Sequence, residues 1–150
     1  MQRKILIVGG GIAGLSLGLA LEQRGIAADV VERQAAPLST GPGLCLPGNA
    51  TRAIASLGLL DQVRANAAPV QRQAILDHRG WRLTETITSD VWARCGPCLS
   101  LPHARLHAIL GAAFGESRVR HDVSVAAIDQ SSGRCEVAFT DGRSAFYDLV

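Results

Sequence analysis

The chain has 150 residues, of which 47% are hydrophobic and 19% charged, and it carries a formal net charge of +2. That length and hydrophobic content are enough to bury one core, which excludes a disordered chain. The Lys and Arg residues are scattered and their excess is small, so neither nucleic acid nor an anionic membrane is implied as a partner.

The first element is the run Ile5 to Val8, apolar and mostly β-branched, as expected of a strand buried on both faces. It runs directly into Gly9, Gly10 and Gly11. Gly9 permits a tight turn, Gly11 lets a pyrophosphate approach the backbone with no Cβ in the way, and Gly14 lets the following helix pack closely on the strand. The free N–H groups of that helix's first turn then favour an anion. The helix carries Leu15, Leu17, Leu19 and Leu21, and Gly25 is its stop signal. A second strand, Ala28 to Val31, delivers Glu32, 18 positions after Gly14. This is near the roughly 20-residue interval expected for a carboxylate that accepts the ribose hydroxyls of a bound dinucleotide. A carboxylate there also disfavours a 2′-phosphate. Residues 5 to 21 lack charge and follow Arg3 and Lys4, which invites comparison with a signal peptide or membrane anchor. Three successive glycines would break such a helix, the run is short for a bilayer, and the next segment completes a βαβ unit. A cytoplasmic protein with no membrane partner is the expectation.

After Arg33, the residues Pro37, Ser39, Thr40, Gly41, Pro42 and Gly43 make a loop able to pass close to a ligand. Asn49 is expected to cap a helix over Ala50 to Leu57 that Gly58 ends, with a short turn from Leu59 to Ala65. Gln73 to Asp77 and Trp81 to Thr86 flank His78-Arg79-Gly80 as a β-hairpin. Ala104 to Phe114 forms a helix and Val119 to Ile128 is extended. Cys135 to Thr140 then meets Phe146 to Val150 across Asp141-Gly142, a strong hairpin signal. Tyr147 to Val150 has the character of a strand entering a core, so the chain is expected to be part of a longer protein.

Cys95-Gly96-Pro97-Cys98 imitates a thioredoxin redox pair. Its setting is wrong, because Leu99 to Pro102 continues as extended chain where a thioredoxin has a long helix. His103 and His107 are one helical turn apart, as in a metal pair, but Ala104 stands where a zinc protease needs its Glu, and no metal is expected. His78 and His121 are expected to face solvent.

Taken together, these segments resemble the amino-terminal part of the FAD-dependent aromatic hydroxylases, the single-component flavoprotein monooxygenases typified by para-hydroxybenzoate and salicylate hydroxylases. The likeness covers nearly the whole chain. It rests on GGGIAG at 9–14, VVER at 30–33, GPGLCLPGNATRAIASLGLLDQV at 41–63, LPHARLHAIL at 101–110 and FTDGRSAFYDLV at 139–150. The resemblance implies that Gly9, Gly10, Gly11, Ile12, Ala13 and Gly14 face the FAD pyrophosphate, Glu32 the adenosine ribose, and Arg33 the neighbouring adenine or phosphate region. It implies further that the Gly41 to Leu46 loop, with Gly43 and Leu44, approaches the ribityl chain and isoalloxazine, and that Val125 offers backbone contacts beside the adenine. One departure stands out. Three residues before Leu106 the family usually has an Arg that reaches the FAD, and here that residue is His103, a poorer partner for phosphate than a forked guanidinium. The family's later Gly-Ala-Asp-Gly and Gly-Asp segments are not in these residues.

The fold expected is therefore α/β, a Rossmann-like FAD/NAD(P)-binding fold of the glutathione-reductase type with β-hairpin insertions, apparently truncated. Residues 1–150 are expected to be the N-terminal FAD-binding portion, with the hairpin at about 70–86 on the substrate-domain side. The function implied is NAD(P)H-dependent hydroxylation of a small aromatic substrate with O2, the flavin carrying the chemistry. The alternatives are another FAD/NAD oxidoreductase, either a disulfide reductase using Cys95 and Cys98 or a dehydrogenase, and an inactive nucleotide-binding fragment.

Overall fold

A computed structural model of the chain describes residues 3–36, 41–131 and 133–150. The elements in chain order begin with β1 (Ile5–Val8), α1 (Ile12–Glu22), β2 (Ala28–Val31), β3 (Gly43–Leu46), α2 (Gly48–Ser56) and α3 (Leu60–Arg64). Next come β4 (Ala68–Pro69), β5 (Arg72–Leu76), β6 (Arg82–Ile87), α4 (Thr88–Trp92), β7 (Leu99–Pro102) and α5 (His103–Phe114). A 3-10 turn at Glu116–Arg118 leads to β8 (Val119–Arg120), β9 (Val125–Asp129), β10 (Cys135–Phe139) and β11 (Ser144–Tyr147). These elements fall into two compact units, one of Met1–Ser39 with His107–Val150 and one of Thr40–Leu106. Among the described residues no helix is long and apolar enough to cross a membrane.

The first unit is built on a parallel sheet of order β1-β2-β8 and an antiparallel sheet of order β11-β10-β9. Ile5 lies opposite Ala28 and Val8 opposite Val31, the parallel register that a β-helix-β connection through α1 produces. The chain returns to this sheet near its end, where Leu149 bridges Ile5 in parallel and the Leu6 N–H donates to the Leu149 carbonyl at 2.9 Å. Both sheets contribute to one core of Leu6, Val31, Val123, Val137, Phe139 and Tyr147. Burying side chains of this kind stabilises the fold by roughly 1.5–3 kcal/mol each. Tyr147 is the largest of the fully buried side chains, and its hydroxyl donates to Asp29 at 2.9 Å, tying β11 to β2. α1 ends as the sequence indicates: Gly25 has φ +71°, and the Ile26 N–H returns to the Leu21 carbonyl at 3.0 Å.

The second unit contains the antiparallel sheet β3-β7-β4 and the hairpin β5-β6. Leu44 pairs with Leu101 and Leu46 with Leu99, and Leu46, Leu99 and Leu101 are all buried. Thr51 is completely buried in α2 and donates its hydroxyl to the Gly48 and Pro97 carbonyls, at 3.0 and 2.8 Å. The hairpin expected here forms with Gly80 at φ +84°, and the one expected in the first unit forms with Gly142 at φ +80°, but its return strand is Ser144–Tyr147 rather than Phe146 to Val150, whose Leu149 bridges Ile5.

The structure corrects five further local expectations. Asn49 is not the helix cap: α2 begins at Gly48 with Pro47 as its N-cap, and the Asn49 side chain accepts from the adjacent Ala50 N–H at 2.9 Å. The turn expected over Leu59 to Ala65 is the short helix α3. Gly43–Leu46, expected as loop, is strand β3, because pairing with β7 supplies its backbone partners. The extended run 119–128 breaks into β8 and β9 where Asp122 adopts φ 59°, a left-handed conformation that Asp tolerates better than most residues. His121, expected to face solvent, is half-buried with Nδ1 3.2 Å from the Gln34 carbonyl, whereas His78 is exposed. The expectation for Pro37, Ser39 and Thr40 lies outside the described residues.

Candidate nucleotide site

In the first unit, the glycines that follow β1 each have a separate geometric reason. Gly9 has φ +110°, and its N–H donates to the Val31 carbonyl at 2.8 Å, which turns the chain at the end of the strand. At Gly14 a Cβ would lie 1.9 Å from the Gly9 carbonyl oxygen and 3.2 Å from Ile7, so only glycine allows α1 this close to the strand. Gly11 is the opposite case. Its φ of -76° suits any residue, and a Cβ there would meet nothing within 4 Å. It is the N-cap of α1 and no side chain caps that end, so the first-turn donors around Ile12 and Ala13 have no side-chain partner from the cap. A bare backbone ledge beside open space at a helix N-terminus is what a pyrophosphate requires.

Glu32 closes the other side of the turn. Its Oε2 accepts from the Gly10 N–H at 2.8 Å and its Oε1 from the Gln34 N–H at 2.9 Å. Partial burial pushes the carboxyl up, but the Gln34 and Gly10 N–H bonds and the Arg33 charge outweigh it and hold the group below the usual carboxylate range. An ionised carboxylate has about four acceptor positions, so two remain for a diol such as a ribose. Arg33 itself is exposed.

Sequence reasoning missed one participant in this loop. His107, half-buried on α5, places Nε2 2.7 Å from the Gly10 carbonyl. A carbonyl can only accept, so Nε2 carries the proton in this contact. Gly10 is thus held on both sides, at its N–H by Glu32 and at its carbonyl by His107. The spacing of His103 and His107 was the available signal, and it suggested a metal pair rather than a loop brace. Val125 is half-buried and packs on the core cluster, while the segment hydrogen-bonded next to Glu32 is Val123, whose N–H donates to the Glu32 carbonyl at 3.0 Å.

The remaining expected contacts lie in the second unit. Pairing of β3 with β7 sets Gly43 opposite Pro102, with Leu44 beside it, and the His103 N–H donates to the Pro42 carbonyl at 3.0 Å. Gly43, Leu44 and His103 are therefore brought to one end of one strand pair. His103 Nδ1 is enclosed and has no hydrogen-bond partner among the described residues. Such an orphaned imidazole nitrogen has capacity for a ligand hydrogen bond. Arg105 is exposed. Cys98 makes its sulfur contact with Cys45, at 3.6 Å, and Cys95 lies beside Arg52. The glycine ledge, the Glu32 carboxylate and the His103 nitrogen are each suited in chemistry to part of a flavin dinucleotide.

Comparison with known proteins agrees. A family model described as an FAD binding domain matches residues 2–145. The aurachin C monooxygenase/isomerase of Stigmatella aurantiaca is 33% identical over 147 residues, which span 97% of this chain and 38% of that protein. An FAD-dependent urate hydroxylase of Klebsiella pneumoniae is 31% identical over 150 residues, spanning 98% of this chain and 39% of that protein. Among solved structures, Klebsiella pneumoniae HpxO complexed with FAD and uric acid superposes with a TM-score of 0.83 at 27% identity, over 99% of this chain and 39% of that one. The chain thus spans about two fifths of the length of the relatives it matches.

Proposed function

The chain belongs to the FAD binding domain family, and from that premise we propose that it is the FAD-holding part of an NAD(P)H-dependent monooxygenase that hydroxylates a small aromatic or heteroaromatic substrate with O2. When bound, FAD supplies the redox chemistry. The chain's own residues supply position. The Gly11 ledge and the first turn of α1 receive the pyrophosphate, and Ile12 and Ala13 present their N–H groups there. Glu32 takes the adenosine ribose and Arg33 the adjoining adenine or phosphate. Val125 belongs to the adenine side, with Val123 the nearer backbone. Gly43, Leu44 and His103 are assigned to the ribityl and isoalloxazine end, and the hairpin β5-β6 to the substrate-domain side.

The observation that carries this reading is the Gly10-Gly11 segment. The two peptide groups flanking the Gly10 Cα are held, one by Glu32 and one by His107, and the next residue is bare towards open space. A loop serving only as a turn has no need of that rigidity. The names of the relatives support the aromatic or heteroaromatic substrate class, since they include urate hydroxylases and a 3-amino-4-hydroxybenzoate 2-monooxygenase. We place the protein in the cytoplasm, because the uncharged run 5–21 is broken by three glycines and belongs to a βαβ unit, and without a nucleic-acid or membrane partner, on its mild and scattered charge.

The test is made on the full-length protein. It should purify with bound FAD and oxidise NADH or NADPH faster when an aromatic substrate is added, yielding a product heavier by one oxygen atom. Glu32→Ala should weaken FAD binding about 10-fold or more, from the loss of charge-assisted hydrogen bonds. A protein that neither contains nor binds FAD would end the proposal, and unchanged affinity in the Glu32 variant would remove that residue from the site.

A further inference from the structure

The chain has four cysteines, and two of them are drawn together although 53 positions separate them. Cys45 lies on β3 and Cys98 immediately precedes β7, the strand paired with β3. Because Cys45 is opposite Ser100, Cys98 lies diagonally across from it on the same face of the ladder, and their sulfurs are 3.6 Å apart. The two differ sharply in access: Cys45 is exposed and Cys98 is 7% exposed. Cys95, three positions before Cys98, is directed elsewhere, with the Arg52 guanidinium 3.9 Å from its sulfur.

We propose that Cys45 and Cys98 form an oxidisable dithiol site, in which a peroxide oxidises the exposed Cys45 and the buried Cys98 then closes a disulfide between β3 and the start of β7. In the first step the Cys45 thiolate attacks the peroxide. An S–O bond forms, the O–O bond breaks, and the leaving oxygen takes a proton to give water from hydrogen peroxide or an alcohol from an organic peroxide. In the second step the Cys98 sulfur attacks the Cys45 sulfur, the S–O bond breaks, and the released hydroxide leaves as water with the Cys98 proton. Two electrons pass from the two thiols to the peroxide. The sulfurs must close from 3.6 Å to the ~2.05 Å of an S–S bond, and because diagonal neighbours on a ladder lie about 7–8 Å apart, closure also draws β3 and the start of β7 together.

The order of events follows from the surroundings. Burial, and then the hydrogen bond with Cys45, push the Cys98 thiol up, so that sulfur stays protonated and is the poorer first nucleophile. Of the two, Cys45 is the one open to a peroxide in solution. The product would fasten β3, which carries Gly43 and Leu44, to the segment that leads into His103. The inference does not depend on FAD being the ligand.

The experiment uses the full-length protein treated with a modest excess of hydrogen peroxide, with mass spectrometry under non-reducing conditions. The expected product is lighter by two hydrogen atoms, with the tryptic peptide containing Cys45 joined to the one containing Cys95 and Cys98, and reversed by dithiothreitol. Cys95→Ser should retain this cross-link. Cys98→Ser should lose it and leave a sulfenic acid on Cys45 that dimedone traps. A Cys95–Cys98 disulfide instead, a cross-link abolished by Cys95→Ser, or Cys45 still a free thiol after treatment would each overturn the proposal. All three readouts are masses of folded or digested protein, so they fail or succeed separately from flavin binding.

Discussion

The two units present their candidate residues by different means. In the first, the backbone itself is the instrument: Gly9 must take φ +110°, Gly14 must have no Cβ, and Gly10 is gripped at both its N–H and its carbonyl. In the second, β3 and β7 form an ordinary antiparallel pair that carries Gly43 and Leu44 and leads directly into His103 at the start of α5, and a Cβ at Gly43 would meet nothing within 4 Å. A position whose geometry admits one residue type leaves a readable mark in the sequence. A position set only by strand pairing does not.

The sharpest way to break this contrast is Gly14→Ala. A methyl group 1.9 Å from the Gly9 carbonyl oxygen has no flexible neighbour to displace, so α1 must move off β1. The expected loss is about 3 kcal/mol or more, at or beyond the upper end of overpacking costs, with poor soluble yield and no flavin. A well-folded Gly14→Ala protein in a urea titration would show that the first unit is no more constrained than the second.

Gly11→Val gives the complementary result. A Cβ there would meet nothing within 4 Å and the extended N-cap backbone accepts it, so the folding cost should be limited to about 1 kcal/mol, from a poorer N-cap residue. FAD binding should nevertheless be abolished, because the branched side chain fills the ledge. Thermal melting and FAD titration on the same sample separate the two effects. Normal flavin content would dismiss Gly11 from the site.

A third prediction concerns what holds β2, and therefore Glu32, in place. Burial, followed by the hydrogen bond to Asp29, pushes the Tyr147 phenol from its ordinary 10.0 up to about 12. The folded state thus favours the neutral phenol. Its contribution is complete below pH 10 and is lost progressively as pH rises from 10 to 12, which corresponds to roughly 2–3 kcal/mol over that interval. Tyr147 is the one tyrosine in these 150 residues, and the difference in phenolate absorbance between the parent protein and Tyr147→Phe reads it. The midpoint should lie near 12 in folded protein, and Tyr147→Phe should lack that part of the alkaline decline in stability. A midpoint near 10 would mean that the phenol is neither buried nor held by Asp29.

The same contrast explains how much of the molecule is legible in its sequence. β1 and β2 can be read to the residue, because the apolar runs, the glycines and Glu32 all act locally. Both hairpin turns are legible too: Asp77 Oδ1 accepts from the Arg79 and Trp81 N–H groups at 2.8 Å each, and Asp141 Oδ1 from the Arg143 N–H at 3.1 Å. What escapes is non-local. The His107 contact with Gly10 spans 97 positions and the Cys45–Cys98 contact 53, and no pattern of residue types announces either. β3 reads as loop because its Gly, Leu, Cys and Leu are strand residues only once β7 lies beside them.

The mildest change expected is at His103, and it tests the second unit where the sequence departs from the pattern it resembles. The enclosed Nδ1 has no partner among the described residues, so His103→Ala removes no protein hydrogen bond through that atom. Its effect on folding should be slight, and its effect on FAD affinity about three- to ten-fold, the value of one neutral hydrogen bond. His103→Arg should move affinity the other way, because a guanidinium offers a fixed, charged fork of donors where imidazole offers at most one at this nitrogen. Titration of both variants with FAD gives the sign at once. If alanine and arginine leave affinity equally unchanged, His103 only covers the start of α5, and the second unit's share of the grip rests on the backbone of Gly43 and Leu44.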